Sequence, residues 1–227
     1  MSLILSLETS AKVCSVAVHD STNLMATSEI HIEQSHASKL AVLIEEVLDE
    51  AGIEKVQLNA VAVSSGPGSY TGLRIGTSTA KGVCYALNIP LISVGSLELL
   101  AFQMREQNPF QAYLCPMIDA RRMEVYCFIM DSASAIIQPT EAKVIDEDSF
   151  KEYLERAKVL FFGDGSDKCK DKIRNKNAVF ISGVYPKASE LGLIAFEKLK
   201  NKVVEDLVNF EPHYLKEFMV KQPTAKN

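Results

Sequence analysis

The sequence predicts an α/β protein built from two similar units, each with a mixed sheet flanked by helices. Near the start, alternating apolar runs joined by tight connections are typical of an antiparallel meander. Amphipathic helical patterns then alternate with buried-type strands. The same order of elements recurs further along the chain, so we expect units at 1–108 and 109–227. A single α/β domain is the alternative reading of this pattern.

In the first unit, a strand meander leads into helices that alternate with strands. The run "CSVAVHD" alternates and ends in the turn signal "DSTN". In "SHASKLAVLIEEVLDEAG" the apolar residues recur at helical spacing, and Gly52 stands where a helix C′ glycine belongs. The predicted elements, in order, are strands at 3–9, 14–20 and 24–32, a helix at 35–52, a strand at 58–65, a helix at 71–88, a strand at 91–95 and a helix at 96–107.

The second unit repeats that order without visible sequence identity to the first. It opens on two strands joined by a tight turn, "AYLCPMIDA", "RR" and "EVYCFIM". The predicted elements that follow are a weaker strand at 142–145, a helix at 148–157, a strand at 159–163, a helix, a short strand near 179–182 and a helix at 188–202.

Composition and charge exclude several classes of protein. Hydrophobic residues make up 47% and charged residues 23%, which is typical of a folded globular chain and argues against disorder. The net charge is −5, and residues 1–100 hold five Lys and Arg against ten Asp and Glu. A protein that binds nucleic acid by itself needs a basic stripe, which neither half provides. The lysine-rich segment "SDKCKDKIRNK" is diluted by aspartates and is interpreted as a solvated helix face.

Cysteine usage and the absence of long apolar runs predict a cytoplasmic protein. The five cysteines are odd in number, lack a CxxC spacing and mostly have apolar neighbours, so buried reduced thiols are expected. The start "MSLILSLETS" has no basic segment and reaches Glu8 too early for a signal peptide. No apolar run approaches the length of about 18 residues that suggests a membrane helix.

The segment "SSGPGSYTGLRIG" (64–76) is a glycine-rich loop between a predicted strand and a predicted helix. It lacks the lysine of a Walker A loop, and its glycines are spaced one residue too far apart for a dinucleotide fingerprint. Two readings stay open: backbone N–H groups that face an anion, or a tight turn that lets the backbone approach another surface. The loop residues are Gly66, Pro67, Gly68, Ser69, Tyr70, Thr71 and, just beyond Gly72, Arg74.

A stripe of small residues follows the loop. Gly72, Gly76, Ala80 and Cys84 recur every four positions and share one helix face. A glycine within a helix costs roughly 1 kcal/mol relative to alanine, so a close contact should offset it. The contact can lie inside the monomer or against a partner helix, and the pattern alone allows both.

Self-sufficient catalytic constellations are missing from the sequence. The four histidines form neither HExxH nor HxxxH, and no GxSxG nucleophile motif occurs. Glu8 follows an apolar strand and is either a site-lining carboxylate or a turn residue. Asp119 and Arg121 stand at a predicted hairpin turn, where such a pair most often stabilises the turn. The residues alone indicate an α/β protein whose loop binds a ligand or a partner.

Several long segments closely resemble the TsaB family, also called YeaZ. They are "ILSLETSAKVCSVAV", "HIEQSHASKLAVLIEEVLDEAGI", "SSGPGSYTGLRIGTSTAKGVCYALNIPLISVGSLELLA" and "IDARRMEVY", with "GPGSYTGLRIG" the most specific. The segments "FFGDGSDK", "VYPKASELGLIAFEK" and "PHYLK" resemble later parts of the family. The match is strong through residue 124 and looser beyond it.

The resemblance implies two ribonuclease-H-like units of the actin/Hsp70/sugar-kinase superfamily. It implies a non-catalytic subunit in the making of threonylcarbamoyladenosine at the tRNA adenosine beside the anticodon. In the family, the catalytic paralogue TsaD carries the metal on an HxxxH pair, and the ATPase TsaE joins the two. Contact with tRNA is then expected only through the complex. A kinase-like enzyme with a nucleotide in the inter-domain cleft is the alternative, and an M22-type glycoprotease is a third.

The resemblance also implies where the partner and a nucleotide would bind. TsaB contacts TsaD through its first two helices, here about 35–51 and 71–88. The residues then expected at or beside the interface are Leu40, Ile44, Gly72, Leu73, Gly76, Ala80 and Val83. Leucine at Gly76 is expected to abolish pairing while the monomer stays folded. Apolar helix faces that lack their partner often self-associate, so a homodimer of the isolated subunit is compatible with this reading. The role of Arg74 at the interface or in the loop is left open.

No cofactor or metal is expected in this subunit. The superfamily carries Asp-x-Gly at its first phosphate turn, and this chain has Glu8-Thr9-Ser10-Ala11 instead. A turn without glycine approaches a phosphate less readily, which puts ATP binding in doubt. The pattern leaves only weak ATP or ADP binding open.

Overall fold

The computed structural model describes residues 2–31, 36–105, 107–108 and 111–216. Within these ranges, each of two runs of three strands is followed by a mixture of α-helices and further strands. The elements are β1 (Leu3–Glu8), β2 (Cys14–Asp20), β3 (Asn23–Ile30), α1 (His36–Ala51), β4 (Ala60–Gly66), α2 (Tyr70–Leu87), β5 (Leu91–Gly95), α3 (Ser96–Arg105), β6 (Tyr113–Asp119), β7 (Glu124–Met130), β8 (Ile136–Val144), α4 (Lys151–Leu154), β9 (Val159–Phe162), β10 (Ala178–Ile181) and α5 (Ala188–Lys200).

The first sheet has the order β3-β2-β1-β4-β5. The first three strands form the predicted antiparallel meander, with Leu3 opposite Asp20. Strands β4 and β5 run parallel to β1, with Ile4 opposite Ala60. Every residue of β1 is buried, because this central strand has helices on both faces.

The second sheet repeats the topology of the first. Its order, β8-β7-β6-β9-β10, matches β3-β2-β1-β4-β5 position by position. Strands β6, β7 and β8 are antiparallel, while β9 and β10 run parallel to β6. The duplicated mixed-sheet fold predicted from the sequence is confirmed.

Each sheet receives a helix from the other half of the chain. Helices α1 and α2 pack on one face of the first sheet, and α5 covers the opposite face through Leu191 and Ala195. Helix α3 follows β5 in the first half, yet Leu97, Leu100 and Met104 pack against the second sheet. The division at residue 108 separates the two sheets but not the helices that cover them, and it stays a prediction.

The second half differs from the predicted elements at three places. Strand β8 spans nine residues rather than the four expected. It contains Pro139, which argues against a strand in the sequence but is tolerated here because β8 lies at the edge of the sheet. Helix α4 has only four residues and starts after Phe150, whose φ of 63° is left-handed. The helix expected after β9 is a short 3₁₀ turn at Asp167–Cys169. Elsewhere the predicted elements are confirmed to within a few residues.

The thiols are buried as predicted. All five cysteines are free and buried. Burial raises the pKa of Cys14 to about 12, and the charge of Glu8 adds to the rise. Across the described ranges, no helix combines the length and the apolar character that crossing a membrane requires.

Candidate functional site

The glycine loop, residues 66–72, packs against the turn between β1 and β2. Ser69 N donates to Ser10 O at 2.7 Å. A Cβ placed on Gly68 would lie 2.3 Å from the same oxygen, so only glycine allows this approach. The Gly66–Pro67 peptide bond is cis. The loop glycines therefore serve a close backbone contact with the first hairpin.

Three amide groups in and just beyond the loop, those of Ser69, Gly72 and Leu73, donate to acceptors within the chain. Ser69 caps α2, and its Oγ accepts from Gly72 N at 3.2 Å. The N–H of Leu73 donates to Ser69 O at 2.8 Å. The reading of the loop as a tight turn is supported, because these N–H groups face the chain rather than an anion.

The small-residue stripe faces the protein's own sheet, which corrects its expected place at a partner interface. A Cβ on Gly72 would lie 2.0 Å from Thr9 O, and a Cβ on Gly76 would lie 2.3 Å from Thr9 Oγ1. Thr9 Oγ1 in turn donates to Gly72 O at 2.8 Å. Ala80 is fully buried. The stripe brings α2 close to Thr9, just after β1, and to Val63 of β4, so leucine at Gly76 would disturb the monomer itself.

The other predicted interface residues also face inward. Leu40, Ile44 and Leu73 are buried, and Val83 packs half-buried against the core of the first sheet. Their helical spacing reflects the amphipathic pattern that binds each helix to its sheet. Leu40, Ile44 and Leu73 therefore offer no surface that a partner could cover, which corrects the expectation for them, whereas the place of half-buried Val83 at the interface stays a prediction.

The outer face of α1 and α2 presents a different set of residues. Val42 is 49% exposed and Tyr85 is 83% exposed. Gly82 is exposed, and a Cβ placed on it would meet no atom within 4 Å. Ala41 and Ala86 are exposed on the same two helices. We call Ala41, Val42, Gly82, Tyr85 and Ala86 the outer face. These exposed residues carry no charge, and the sequence pattern alone did not separate them from the buried stripe.

A segment without regular structure, residues 201–216, crosses the first sheet beside α2. We call it the strap. Glu205 N donates to Leu91 O at 2.9 Å, and His213 N donates to Ser65 O at 2.7 Å. Lys81 Nζ of α2 donates to the carbonyl oxygens of Val208 and Phe210 at 3.0 and 3.1 Å.

The end of the strap covers the glycine loop. A Cβ on Gly66 would lie 2.8 Å from His213 O. The Tyr214 ring contacts the Tyr70 ring, with centroids 4.8 Å apart. Arg74 Nη1 donates to Tyr70 Oη at 3.2 Å. Sequence reasoning noted "PHYLK" only as a family segment, because nothing local reveals a contact between segments so distant along the chain.

Glu8 lies at the end of β1, fully buried. Its Oε1 accepts from Ser10 N at 2.6 Å, while Oε2 has no hydrogen-bond partner among the residues the structure describes. Burial raises the pKa of Glu8 against the opposing hydrogen bonds from Ser10. Ser15 on the adjacent strand is equally buried, and its Oγ accepts from Ala188 N at the start of α5. The space beside Glu8 is thus filled by the chain.

Asp119 occupies the equivalent position at the end of β6, where the hairpin to β7 begins. Its Oδ1 accepts from Arg121 N at 2.8 Å and from Lys168 Nζ at 2.5 Å. Lys168 also donates to the carbonyls of Arg122 and Glu124. Asp119 was expected to pair with the Arg121 side chain. It accepts instead from the backbone N–H of Arg121, and its ion pair is with Lys168.

The histidines and carboxylates of the described residues form no cluster of metal ligands. In these ranges, no three His, Cys, Asp or Glu side chains converge to hold a metal ion. His19 is buried against Gly192, and burial lowers the pKa of His19. His31 pairs with Glu29 at 3.3 Å on the surface.

Comparisons with known proteins point to one family. The family model described as TsaD, tRNA N6-adenosine threonylcarbamoyltransferase, matches residues 29–226. The chain is 28% identical over 224 residues to the tRNA threonylcarbamoyladenosine biosynthesis protein TsaB of Bacillus subtilis, covering 94% of this chain and 93% of that protein. A tRNA N6-adenosine threonylcarbamoyltransferase of Legionella pneumophila is 31% identical over 156 residues, which cover 57% of this chain and 47% of that protein.

Solved structures agree with the sequence relatives. YeaZ from Pseudomonas aeruginosa superposes with a TM-score of 0.80 at 25% identity, covering 95% of this chain and all of that one. The ethanolamine utilization protein EutJ from Carboxydothermus hydrogenoformans superposes with a TM-score of 0.50 at 10% identity, covering 85% of this chain and 90% of that one. The second likeness concerns the fold alone.

Proposed function

Because the chain belongs to the TsaB (YeaZ) branch of the family described as TsaD, tRNA N6-adenosine threonylcarbamoyltransferase, we propose that it is a non-catalytic subunit of a tRNA-modifying complex. The complex transfers a threonylcarbamoyl group to the tRNA adenosine beside the anticodon. In this proposal the chain pairs with and activates a TsaD-type paralogue, which carries the metal, and a TsaE-type ATPase joins them.

The single observation that carries the proposal for pairing is Gly82 on the outer face of α1 and α2. A mid-helix glycine costs roughly 1 kcal/mol relative to alanine. Gly76 offsets this cost by its contact with Thr9, whereas a Cβ on Gly82 would meet nothing within the described chain. A partner helix that approaches this exposed glycine would supply the missing contact, with Tyr85 and Val42 as apolar neighbours.

The filled space at the end of β1 supports a subunit that holds no nucleotide of its own. Glu8 is fully buried where the superfamily resemblance puts the first phosphate turn, and Ser10 stands where that turn has glycine, so the backbone approaches a phosphate less readily. The chain's contribution is then to bind and orient the paralogue rather than to perform the transfer.

Co-expression with the TsaD-type paralogue of the same organism tests the pairing. The Gly82→Leu variant should lower the affinity at least tenfold, measured by size-exclusion chromatography with light scattering and by titration calorimetry. Its Tm should stay at or above that of the wild type, since leucine favours the helix more than glycine. The control Val144→Glu changes a residue that is 67% exposed on β8 and should pair normally.

Two results would overturn the proposal. One is a wild-type chain that does not pair with the paralogue at micromolar concentrations. The other is a Gly82→Leu variant that pairs as well as the wild type. A purified chain that hydrolyses ATP without partners would favour the kinase-like alternative instead.

A further inference from the structure

A band of cationic and aromatic side chains runs from the start of α2 to the hairpin between β6 and β7. It crosses from the first half of the chain to the second by way of the strap. The members of this cation–aromatic band are Arg74, Tyr70, Tyr214, Lys216, Arg121 and Arg122.

The first part of the band is a stack at the start of α2. The Arg74 guanidinium lies over the Tyr70 ring, 5.3 Å from its centroid. The Tyr214 ring contacts the Tyr70 ring at a centroid distance of 4.8 Å and an interplanar angle of 40°. Tyr214 is 37% exposed, and Arg74 is exposed. A planar guanidinium held on aromatic rings at a protein surface is a common platform for an unpaired base.

Lys216 joins the stack to the second sheet. Its Nζ forms an ion pair with Glu124 at the start of β7. Lys168 Nζ donates to the carbonyl oxygens of Arg122 and Glu124, so the hairpin tip lies beside the residue that Lys216 pairs with. The strap thereby makes the band continuous between two parts of the chain that are distant in sequence.

The hairpin tip presents two arginines on a rigid support. Arg121 and Arg122 have φ angles of 69° and 47°, a region that L-residues other than Asn and Asp rarely occupy. The backbone is held there by the bonds from Arg121 N to Asp119 and from Lys168 to Arg122 O. Such strain persists where the surroundings impose it, and it is often found at functional positions.

The guanidinium groups of the band are available for a ligand. Arg121 and Arg122 are exposed, and among the described residues neither side chain makes a hydrogen bond or ion pair. Arg74 meets Tyr70 but no carboxylate in those ranges. The nearby carboxylates are already engaged, Glu124 by Lys216 and Asp119 by Lys168.

We propose that the cation–aromatic band contacts the tRNA directly within the assembled complex, with Arg121 and Arg122 on backbone phosphates and the Tyr70–Tyr214 pair against unpaired bases. The inference rests on the proposed function and deepens it. Guanidinium groups bind phosphate through paired N–H donors, and aromatic side chains stack on bases of single-stranded loops. This alternation of the two is typical of surfaces that bind unpaired RNA.

The charge of the whole chain explains why the contact needs the complex. A net charge of −5 opposes RNA binding by the isolated subunit. The band starts at α2, which also carries part of the outer face proposed for pairing. A paralogue on the outer face would therefore contact the same helix that carries the first part of the band.

The test compares two double variants in the complex with the TsaD-type paralogue. Arg121→Asn with Arg122→Gly removes both charges and places residues that prefer positive φ at the tip, so the hairpin should fold at least as well. The control, Lys172→Ala with Lys176→Ala, removes the same charge from exposed residues in the segment that leads into β10. β10 begins beside the opposite end of β6 from Asp119. Binding of fluorescein-labelled tRNA is measured by anisotropy from 50 to 200 mM KCl.

The hairpin variant should assemble normally and bind tRNA about tenfold more weakly. The slope of the logarithm of the association constant against the logarithm of the KCl concentration should be shallower by about 1.4. This is about 0.7 for each of the two single-strand phosphates that the arginines neutralise in the wild type. The control should change neither quantity. Unchanged affinity and slope in the hairpin variant would overturn the inference and leave the proposed function intact. Loss of assembly would assign these arginines to the paralogue interface and also overturn it, whereas a wild type that fails to assemble would overturn the proposed function itself.

Discussion

At the scale of single residues, glycines of one helix have opposite surroundings. Gly76 touches Thr9, while Gly82 faces outward further along the same helix. Both positions look alike in the sequence, since each is a glycine inside a helical pattern. Only the surroundings decide which of them packs in the monomer and which lies on the surface.

Alanine at these two glycines should change stability in opposite directions. Gly76→Ala brings a Cβ to within 2.3 Å of Thr9 Oγ1 and should lower the free energy of unfolding by about 1–3 kcal/mol. Gly82→Ala meets nothing and should raise it by up to about 1 kcal/mol through helix propensity. Urea unfolding followed by circular dichroism measures both. Equal effects at the two positions would contradict the packing described for α2.

At the scale of elements, the strap is held by its contacts rather than by regular structure. Leu207 and Phe210 pack against the core beneath α1 and α2. Lys81 then ties the strap's backbone to α2, and Tyr214 covers the start of that helix. The strap therefore stabilises the helix that carries both Gly82 and Arg74.

Truncating an anchored side chain of the strap should lower the free energy of unfolding far more than truncating an exposed neighbour. Phe210→Ala should lower the free energy of unfolding by about 2 kcal/mol, because it removes a half-buried ring from the core. Val208→Ala should change it by less than about 0.5 kcal/mol, since Val208 is 83% exposed. Thermal and urea unfolding of both variants provide the comparison. A Phe210→Ala variant as stable as Val208→Ala would show that the strap is not anchored.

At the scale of the whole molecule, the two halves depend on each other's helices. Ile4, Ala62 and Val94 of the first sheet are covered by α5, which belongs to the second half. His19 of β2 lies against Gly192 of α5, where a Cβ would be 2.2 Å from the ring. The two sheets are thus joined by packing as well as by chain connection.

A fragment of residues 1–108 should fail to fold by itself. Its sheet would expose the apolar face that α5 covers, and α3 would expose the face that packs on the second sheet. The same fragment joined through a flexible linker to residues 186–216 should recover part of the helical signal and a cooperative urea transition. A cooperatively folded 1–108 fragment would instead establish the first half as an independent domain.

The sequence predicts the order and type of most elements correctly, because apolar periodicity and turn residues are local signals. The meander, the alternation that follows, and Gly52 at the end of α1 are confirmed on that basis. It failed where an edge strand contains Pro139 and where α4 is held to a single turn. Those outcomes depend on neighbours that no local window contains.

The surface that each residue contacts is seen in the folded chain and not in the sequence. Periodicity places Gly72, Gly76 and Leu40 on the apolar faces of their helices, but it does not say whether a sheet or a partner covers those faces. The structure assigns all three to the protein's own core, and it leaves Gly82 and Tyr85 outside. It also brings Tyr214 to Tyr70 across the chain, since contacts between distant segments depend on how the whole chain packs and not on local preference.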